Sequence, residues 1–383
     1  MPGSDVSRIY LDNNATTRPF PEVVDVMAKH FRDAFGNPGS RHAEGRAARK
    51  VMEDARESMA EILDCSPKEI IFTSSGTEAS NLAIFGLLAG DPGVIALTAG
   101  EHPATSESGK HLLQKGYELH HLSVDSDGLL NAGQYEDLPW DRLKLATVIL
   151  AHNETGVIQD VKPLSDMCRN QGVPFHIDAV QAVGKIPVHF RELGATSLAL
   201  GAHKFHGPRG IGALLLAEGV TLAPYLFGGH QEAGRRPGTE SVALIAGMAK
   251  ALEIWHADHQ ARMESTRSLR DRLQNGLMNR CQPAIVNGSL EHRLPNTLNI
   301  SFPGVEGEAL LIALDLEGIA CSLGSTCASG SAEPAPVLKA MNRSLEVAKS
   351  AVRLTLSCET TADEIDRAVE ILASTVNRLR DIK

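Results

Sequence analysis

The feature that most constrains the fold is a series of short apolar segments that alternate with helical patterns through the first two thirds of the chain. The predicted strands are IIFTS from Ile70, VIALTA from Val94, LATVILA from Leu145, FHIDA from Phe175, SLALGA from Ser197 and IGALLLA from Ile211. Helical patterns such as TEASNLAIFGLLA from Thr77 and PLSDMCRNQ from Pro163 lie between several of them. Buried strands separated by helices are typical of an α/β domain with a largely parallel sheet.

The pattern changes in the last third of the chain. A charge-rich helical stretch over residues 241–280 is predicted to connect two domains, with a boundary near residue 260. After it come NTLNISF from Asn296, EGEALLIALDLEG from Glu306 and AVRLTLS from Ala351. A capping box, Thr361-x-x-Glu364, predicts the start of a last helix. We therefore expect a smaller α+β domain after the connector.

Size, charge and cysteine usage exclude several classes of protein. A chain of 383 residues is too long for one ordinary core. Its net charge of −10, without a basic block, argues against nucleic acid or an anionic membrane as partner. No apolar run approaches the ~20 residues of a membrane span. The six cysteines form no CxxC pair and show no metal-ligand spacing, which indicates reduced thiols in the cytoplasm and no metal site.

One cysteine lies where packing does not explain it. The segment CSLGSTCASGSAEP runs from Cys321 to Pro334, and we call it the cysteine loop. Cys321 ends an apolar run and is expected in the core. Cys327 lies among Gly, Ala and Ser, and reactivity rather than packing decides the role of such a residue. It is either a reactive thiol or an incidental exposed cysteine.

Two segments place chemically useful side chains at the ends of predicted strands. HIDAVQAVG, from His176, puts Asp178 at the end of a buried strand, where a carboxylate is costly without a partner charge. LGAHKFHGPRGIG, from Leu200, puts Lys204 after an apolar strand. Ligands bind at such strand ends, and a partly desolvated lysine there would have a lowered pKa and act as a nucleophile. The pair suggests pyridoxal phosphate, although a turn-capping aspartate and a surface lysine would give the same pattern.

A third segment, IIFTSSGTEASN from Ile70, favours this cofactor. It runs from a strand through Ser75, Gly76 and Thr77 into a helix. Glycine lets the backbone approach a ligand, and the N–H groups at a helix start attract phosphate. The segment lacks the lysine of a Walker A loop, so nucleotide binding fits less well. A plain helix cap would also explain Thr77.

Ten motifs, in order, resemble those of the group I cysteine desulfurases, the nitrogen-fixation and iron–sulfur-assembly type of class V aminotransferase-fold enzymes. They are YLDNNATT from Tyr10, FGNPGSRH from Phe35, FTSSGTEASN from Phe72, Glu101-His102, NETG from Asn153, HIDAVQ from His176, HKFHGPRGIG from His203, GGHQEAGRRPGTE from Gly228, STCAS from Ser325 and RLTLS from Arg353. The resemblance implies fold type I of the pyridoxal-phosphate-dependent transferases. It further implies a large cofactor-binding domain over residues 16–260 with a mostly parallel seven-stranded sheet. Residues 1–15 and 261–383 would form a smaller α+β domain that carries the cysteine loop.

The resemblance also implies a role for each matched residue. Lys204 would hold the cofactor as a Schiff base, Asp178 would pair with the pyridine nitrogen, and His102 would stack on the ring and shuttle protons. The other cofactor-binding residues would be Gln181 at the ring hydroxyl, Gly76, Thr77 and His203 at the phosphate, Asn153, and Thr239, which would reach the phosphate of a second subunit. Arg353 and Asn153 would receive the substrate carboxylate, and Asn13 would also line the substrate pocket. Cys327 falls on the position of the family's sulfur-accepting cysteine, and the small residues around it would give it the mobility to deliver sulfur elsewhere.

The implied reaction converts L-cysteine to L-alanine and leaves the sulfur on Cys327 as a persulfide. A homodimer and a sulfur-acceptor protein are implied with it, and the sulfur would supply iron–sulfur clusters or other sulfur-containing biomolecules. The alternatives are a selenocysteine lyase, a class V aminotransferase, and a sulfur-relay scaffold with little turnover. Three positions depart from the family pattern: Gly201 replaces a phosphate-binding serine, Leu323 stands in the cysteine loop, and His152 replaces an asparagine.

Overall fold

The computed structural model describes residues 8–323 and 333–381. The strands in this part of the chain are β1 (Ile9–Tyr10), β2 (Ile70–Thr73), β3 (Val94–Thr98), β4 (Glu118–Leu122), β5 (Leu143–Ile149), β6 (Phe175–Asp178), β7 (Ser197–Gly201), β8 (Gly212–Leu216), β9 (Ile285–Val286), β10 (Thr297–Ser301), β11 (Ile319–Ala320), β12 (Ser322–Leu323) and β13 (Ala351–Thr355). The α-helices are α1 (Pro21–Asp33), α2 (Ala43–Ile62), α3 (Gly76–Leu87), α4 (Pro103–Leu113), α5 (Lys162–Gln171), α6 (Phe190–Leu193), α7 (Val242–Ala257), α8 (His259–Arg280), α9 (Gly307–Leu316), α10 (Pro336–Ala340), α11 (Leu345–Lys349) and α12 (Ala362–Asp381).

Seven strands form the main sheet, in the order β2–β8–β7–β6–β5–β3–β4. Strand β8 is antiparallel to both of its neighbours, and the other adjacent pairs are parallel. The prediction of a mostly parallel α/β sheet is confirmed, and its six predicted strands are β2, β3, β5, β6, β7 and β8. The seventh, β4, is an edge strand.

Helices cover both faces of this sheet because its strands are apolar on both sides. In β2, the side chains of Ile70 and Phe72 join a core with residues of α2, α5 and α7. The intervening Ile71 joins a second core with residues of α3 on the opposite face. A strand that is buried on both faces reads as a continuous apolar run, which is why the pattern in the sequence was clear.

A separate core lies around the antiparallel sheet β12–β13–β10–β9. Helices α8, α9 and α12 contribute to it, and so do Ile9 and Leu11 from the beginning of the described chain. Strand β1 pairs in parallel with β11. The predicted connector is two helices rather than one, because α7 ends at Ala257 and α8 begins at His259. The proposed domain boundaries at residues 15 and 260 stay a prediction.

Local interactions fix the start of the last helix and the turn after β6. The predicted capping box is confirmed, since the Glu364 backbone N–H donates to Thr361 Oγ1 (3.3 Å) and the Thr361 N–H donates to the Glu364 carboxylate (2.8 Å). After β6 the chain turns at Gly184, which has φ +75°. A Cβ at this position would lie 2.1 Å from Cβ of Phe205. Only glycine lets this turn pack directly against the segment that carries Lys204.

Candidate active site

The carboxyl ends of β2, β3, β5, β6 and β7 meet at one cavity of about 380 Å³. Nine predicted site residues line it: Gly76, Thr77, His102, Asn153, Asp178, Gln181, His203, Lys204 and Arg353. The lining also includes Asn14, Ala15, Ser75, Pro103, Ala104, Ile149, Glu154 and Val180. Parallel strands bring their loops to the same edge of a sheet, so residues far apart in sequence meet here.

Lys204 lies in a short 3₁₀ turn directly after β7. Its Nζ donates to the backbone carbonyls of Asn14 (2.7 Å) and Ala15 (2.9 Å). Burial and the positive charge of Arg353 lower the pKa of Lys204 to about 8. The unprotonated fraction of this amine near neutral pH is therefore much larger than that of an ordinary lysine, and this form can attack an electrophile.

Asp178 ends β6 and is 3% exposed. Its Oδ1 accepts a hydrogen bond from the backbone N–H of Val180 (3.0 Å). Burial raises the pKa of Asp178, whereas the nearby His102 and Lys204 oppose this rise. A buried carboxyl of this kind gains most from a cationic partner in the cavity.

His102 is the N-cap of α4, and its Nδ1 accepts the backbone N–H of Ala104 (3.1 Å). In the neutral ring this leaves the proton on Nε2. Burial lowers the pKa of His102, and Asp178 opposes that effect. The adjacent Glu101 accepts the N–H of Ile149 (2.7 Å), and burial together with Asp178 raises its pKa to about 8. Glu101 is therefore largely uncharged near neutral pH and adds little negative charge beside Asp178.

The turn from β2 into α3 presents backbone donors to the cavity. Ser75 caps the helix by accepting the N–H of Glu78 (3.2 Å). A Cβ on Gly76 would lie 2.5 Å from Cγ2 of Val180, so the bare backbone is required here. His203 contacts Thr16 Oγ1 through Nδ1 (3.2 Å), and burial lowers its pKa to about 4. The turn combines a helix N-terminus with neutral polar groups, which is a favourable site for a phosphate.

Arg353 is buried and already has two anionic partners. Nη1 donates to Glu154 Oε1 (2.8 Å), and Nη2 donates to Asp12 Oδ1 (2.9 Å). The amide of Asn153 also donates to Glu154 Oε1 (2.8 Å). Sequence reasoning missed both carboxylates, although Glu154 stands in the quoted NETG motif and Asp12 in YLDNNATT. Any substrate carboxylate that reaches Arg353 must compete with them.

Of the two adjacent asparagines, Asn14 lines the cavity and Asn13 does not. The Asn13 amide donates to the backbone carbonyls of Thr355 (2.8 Å) and Tyr10 (3.3 Å). The backbone carbonyl of Asn14 accepts from both Lys204 Nζ (2.7 Å) and Gln181 Nε2 (2.9 Å). Asn13 lines a neighbouring pocket together with Lys204, and its expected place in the substrate pocket stays a prediction.

The last two predicted residues are Thr239 and Cys327. Thr239 is exposed and does not line the cavity of its own chain. Its segment is fixed by Arg236, which forms two hydrogen bonds with Glu78 of α3 (2.6 and 3.1 Å). Its expected role concerns a second subunit and stays a prediction. Cys327 lies outside the described residues.

Comparison with known proteins identifies the family. The model of the class V aminotransferases matches residues 9–368. The chain belongs to the class V aminotransferase family. Among its relatives is a protein named cysteine desulfurase from Enterobacter agglomerans, which is 43% identical over 381 residues and covers 98% of this chain and 94% of that protein. The predicted resemblance to the group I cysteine desulfurases is thereby confirmed.

Solved structures agree with this membership. A protein described as NifS-like has a TM-score of 0.91 at 35% identity and covers 97% of this chain and 100% of its own. The structure of SspA in complex with cysteine has a TM-score of 0.81 at 28% identity, with 92% and 100% covered. The predicted fold type, that of the NifS-like pyridoxal-phosphate enzymes, is confirmed.

Two positions that depart from the family pattern, Gly201 and His152, lie close to the loops of the cavity in this class V aminotransferase. A Cβ on Gly201 would face the backbone N of Gly76 at 3.4 Å. His152 is buried, contacts the carbonyl of Gly100 through Nε2 (2.8 Å) and accepts the N–H of Glu154 through Nδ1 (3.1 Å). It thereby joins the loops that carry His102 and Asn153.

Among the described helices, none is long and apolar enough to cross a membrane.

Proposed function

We propose that this chain is a pyridoxal-phosphate-dependent cysteine desulfurase. It converts L-cysteine to L-alanine and transfers the sulfur atom to the thiol of Cys327, which becomes a persulfide. The observation that carries the proposal is the shared cavity of Lys204, Asp178, His102 and Arg353. An amine, a buried carboxyl, an imidazole and a guanidinium line this one cavity at the carboxyl ends of the strands, as the chemistry of an amino-acid substrate requires.

The donor set of the cavity fits pyridoxal phosphate. The close approach of Gly76 to Val180 leaves backbone N–H groups at the start of α3 for a phosphate. Asp178 offers a desolvated carboxyl that a protonated ring nitrogen would neutralise. Gln181, Thr77 and His203 supply further polar contacts. When bound, the cofactor withdraws electrons from the substrate and makes its Cα proton acidic.

The residues of the chain then handle protons and orient the substrate. Lys204, whose pKa is about 8, takes the Cα proton and returns a proton later. His102 presents Nε2 to the same cavity, because its Nδ1 is occupied by the helix cap. Arg353 and Asn153 receive the substrate carboxylate. That carboxylate must displace Glu154 and Asp12 from the Arg353 guanidinium or share the guanidinium with them.

The described chain also supports access of Cys327 to this cavity. Strand β12 ends at Leu323, which pairs with Val352, and the preceding Ser322 pairs with Arg353. The cysteine loop therefore leaves the sheet beside a residue of the cavity. Cys327 is four residues beyond Leu323, and four residues of fully extended chain reach about 14 Å at most.

A homodimer and a sulfur-acceptor protein complete the proposal. Thr239 is exposed, so it is available to the phosphate of a partner subunit. The segment of Thr239 packs against a neighbouring one, because Pro237 lies close to Gly228. The adjacent Phe227 is 90% exposed. Light scattering should give twice the chain mass of 41.0 kDa, and a monomer at working concentrations would contradict the dimer. The acceptor takes sulfur from the Cys327 persulfide, and the cytoplasm stays the predicted compartment.

The decisive experiment measures alanine and sulfide from L-cysteine with purified protein and a reductant. Equal amounts of both products are expected, and Cys327→Ser should keep the yellow cofactor but lose sulfur release. Cys321→Ser is the matched control, because burial raises the pKa of that neighbouring thiol to about 12 and makes it unreactive. Full activity of Cys327→Ser would refute the persulfide step. Alanine from L-selenocysteine alone would indicate a lyase, and no alanine from either substrate would favour an aminotransferase.

A further inference from the structure

Lys185 is a buried lysine to which the proposed reaction gives no role. It follows the turn after β6 and is 8% exposed. Within residues 8–323 and 333–381, its amine contacts side-chain amide oxygens and no carboxylate. Burial lowers its pKa well below the ordinary value, and the charges of Lys204 and Arg353 act in the same direction. A lysine is almost never buried without a partner charge, so its contacts call for an explanation.

The amine of Lys185 donates to two side-chain amide oxygens. One is Asn14 Oδ1 at 2.8 Å, and the other is Gln181 Oε1. An ammonium has three N–H donors and a neutral amine has two, so Lys185 can donate both hydrogen bonds in either protonation state. Asn14 Oδ1 accepts a second hydrogen bond from Asn296 (3.1 Å). Gln181 Oε1 has Lys185 as its donor.

These contacts fix the orientation of the Gln181 amide. With Oε1 directed at Lys185, Nε2 points to the carbonyl of Asn14 at 2.9 Å. If the amide were rotated by half a turn, two oxygens would face each other at Asn14, and the Lys185 amine would face N–H groups. Nε2 carries two hydrogens, and only one is needed for Asn14. The second remains for the cavity that Gln181 lines.

We propose that Lys185 is a positioning residue that locks the Gln181 amide, so that its N–H and never its carbonyl oxygen faces the ring oxygen of the cofactor. The inference rests on the proposed function, because it assumes pyridoxal phosphate in this cavity. A donor at that oxygen stabilises its anionic form, whereas a rotated amide would repel it. Lys185 acts through Gln181 and does not itself line the cavity.

The test is a pH titration of the visible absorption of the bound cofactor. Lys185→Met keeps the length of the side chain and removes its donors. We expect the midpoint of the absorption change to rise by about one pH unit, as when one hydrogen bond to an anion is lost. Lys115→Met is the control, since Lys115 is exposed at the far end of α4 from His102. An unchanged midpoint in folded Lys185→Met would overturn the proposal.

A double variant separates this role from general damage to the fold. Gln181→Leu should raise the midpoint by itself, and adding Lys185→Met should then have no further effect, because the two residues act through one contact. Additive shifts would overturn the proposal. If Lys185→Met does not fold, Lys185→Gln, which retains N–H donors, should keep the wild-type midpoint, and a full-unit shift would contradict us. Failure of the proposed function would instead show as a wild type without visible cofactor absorption.

Discussion

Replacing Gly201 by serine should tighten the binding of pyridoxal phosphate. Gly201 ends β7 with φ −139° and ψ 122°, a conformation that any residue adopts. A Cβ there would meet the backbone N of Gly76 at 3.4 Å and Cγ1 of Val180 at 3.7 Å. These are ordinary contact distances, so the side chain fits without displacing its neighbours. The new hydroxyl would stand beside the first N–H groups of α3, where the phosphate is proposed to bind.

The magnitude follows from the kind of contact that is added. A hydrogen bond to a charged group contributes ~1.5–3 kcal/mol, and ~1.4 kcal/mol corresponds to a factor of ten in affinity. We therefore expect the Kd for pyridoxal phosphate to fall by about tenfold or more. The assay is an equilibrium titration of cofactor-free protein, followed by visible absorption.

Gly201→Ala is the matched control, because it fills the same space without adding a donor. The serine variant should bind more tightly than both the wild type and the alanine variant. Equal affinities of the serine and alanine variants would show that the hydroxyl does not reach the phosphate. Weaker binding by both would show that the space beside Gly76 belongs to the cofactor itself. Either result would refute the predicted hydrogen bond between the introduced hydroxyl and the phosphate.

Three further predictions concern the described residues. In cofactor-free protein, an amine-directed acylating reagent should modify Lys204 faster as the pH rises, because only the unprotonated amine reacts. The midpoint of this rise should be about pH 8. A midpoint near 10.5 would contradict the effect of burial and Arg353 on the pKa. Arg353→Lys should raise KM for L-cysteine at least ~10-fold in steady-state assays, because a lysine cannot contact Asp12 and Glu154 with the geometry of a guanidinium and still receive a carboxylate. Thr361→Ala should lower the free energy of unfolding by ~1 kcal/mol in urea titrations through loss of the helix cap, with unchanged kinetics.

The sequence predicted the main sheet well because both of its faces are buried. Edge strand β4 was harder to recognise, since Glu118, His120 and His121 interrupt its apolar character. The connector was predicted as one stretch, because no proline or glycine marks the break at Asp258. In each case the local signal is weak, and the final structure depends on contacts with distant segments.

Sequence reasoning was less successful for residues whose role depends on distant partners. Asn13 and Asn14 lie in a loop, where no periodicity tells which side chain faces a ligand. Glu154 contacts Arg353 from 199 positions away, and nothing in the local pattern indicates this pair. No role for Lys185 followed from the sequence. It follows Gly184, whose close packing against Phe205 the sequence does not reveal.

The position of Asn14 has a consequence for how the chain matures during synthesis. Its backbone N–H donates to Thr355 Oγ1, 341 residues later, and its amide donates to Thr297 Oγ1. The carbonyl that holds Lys204 is thus fixed by strands that leave the ribosome last. Chains emerge N-terminus first, and a contact of such sequence separation forms only when both segments are available. The large sheet can therefore form early, whereas a competent cavity has to wait until translation has passed β13.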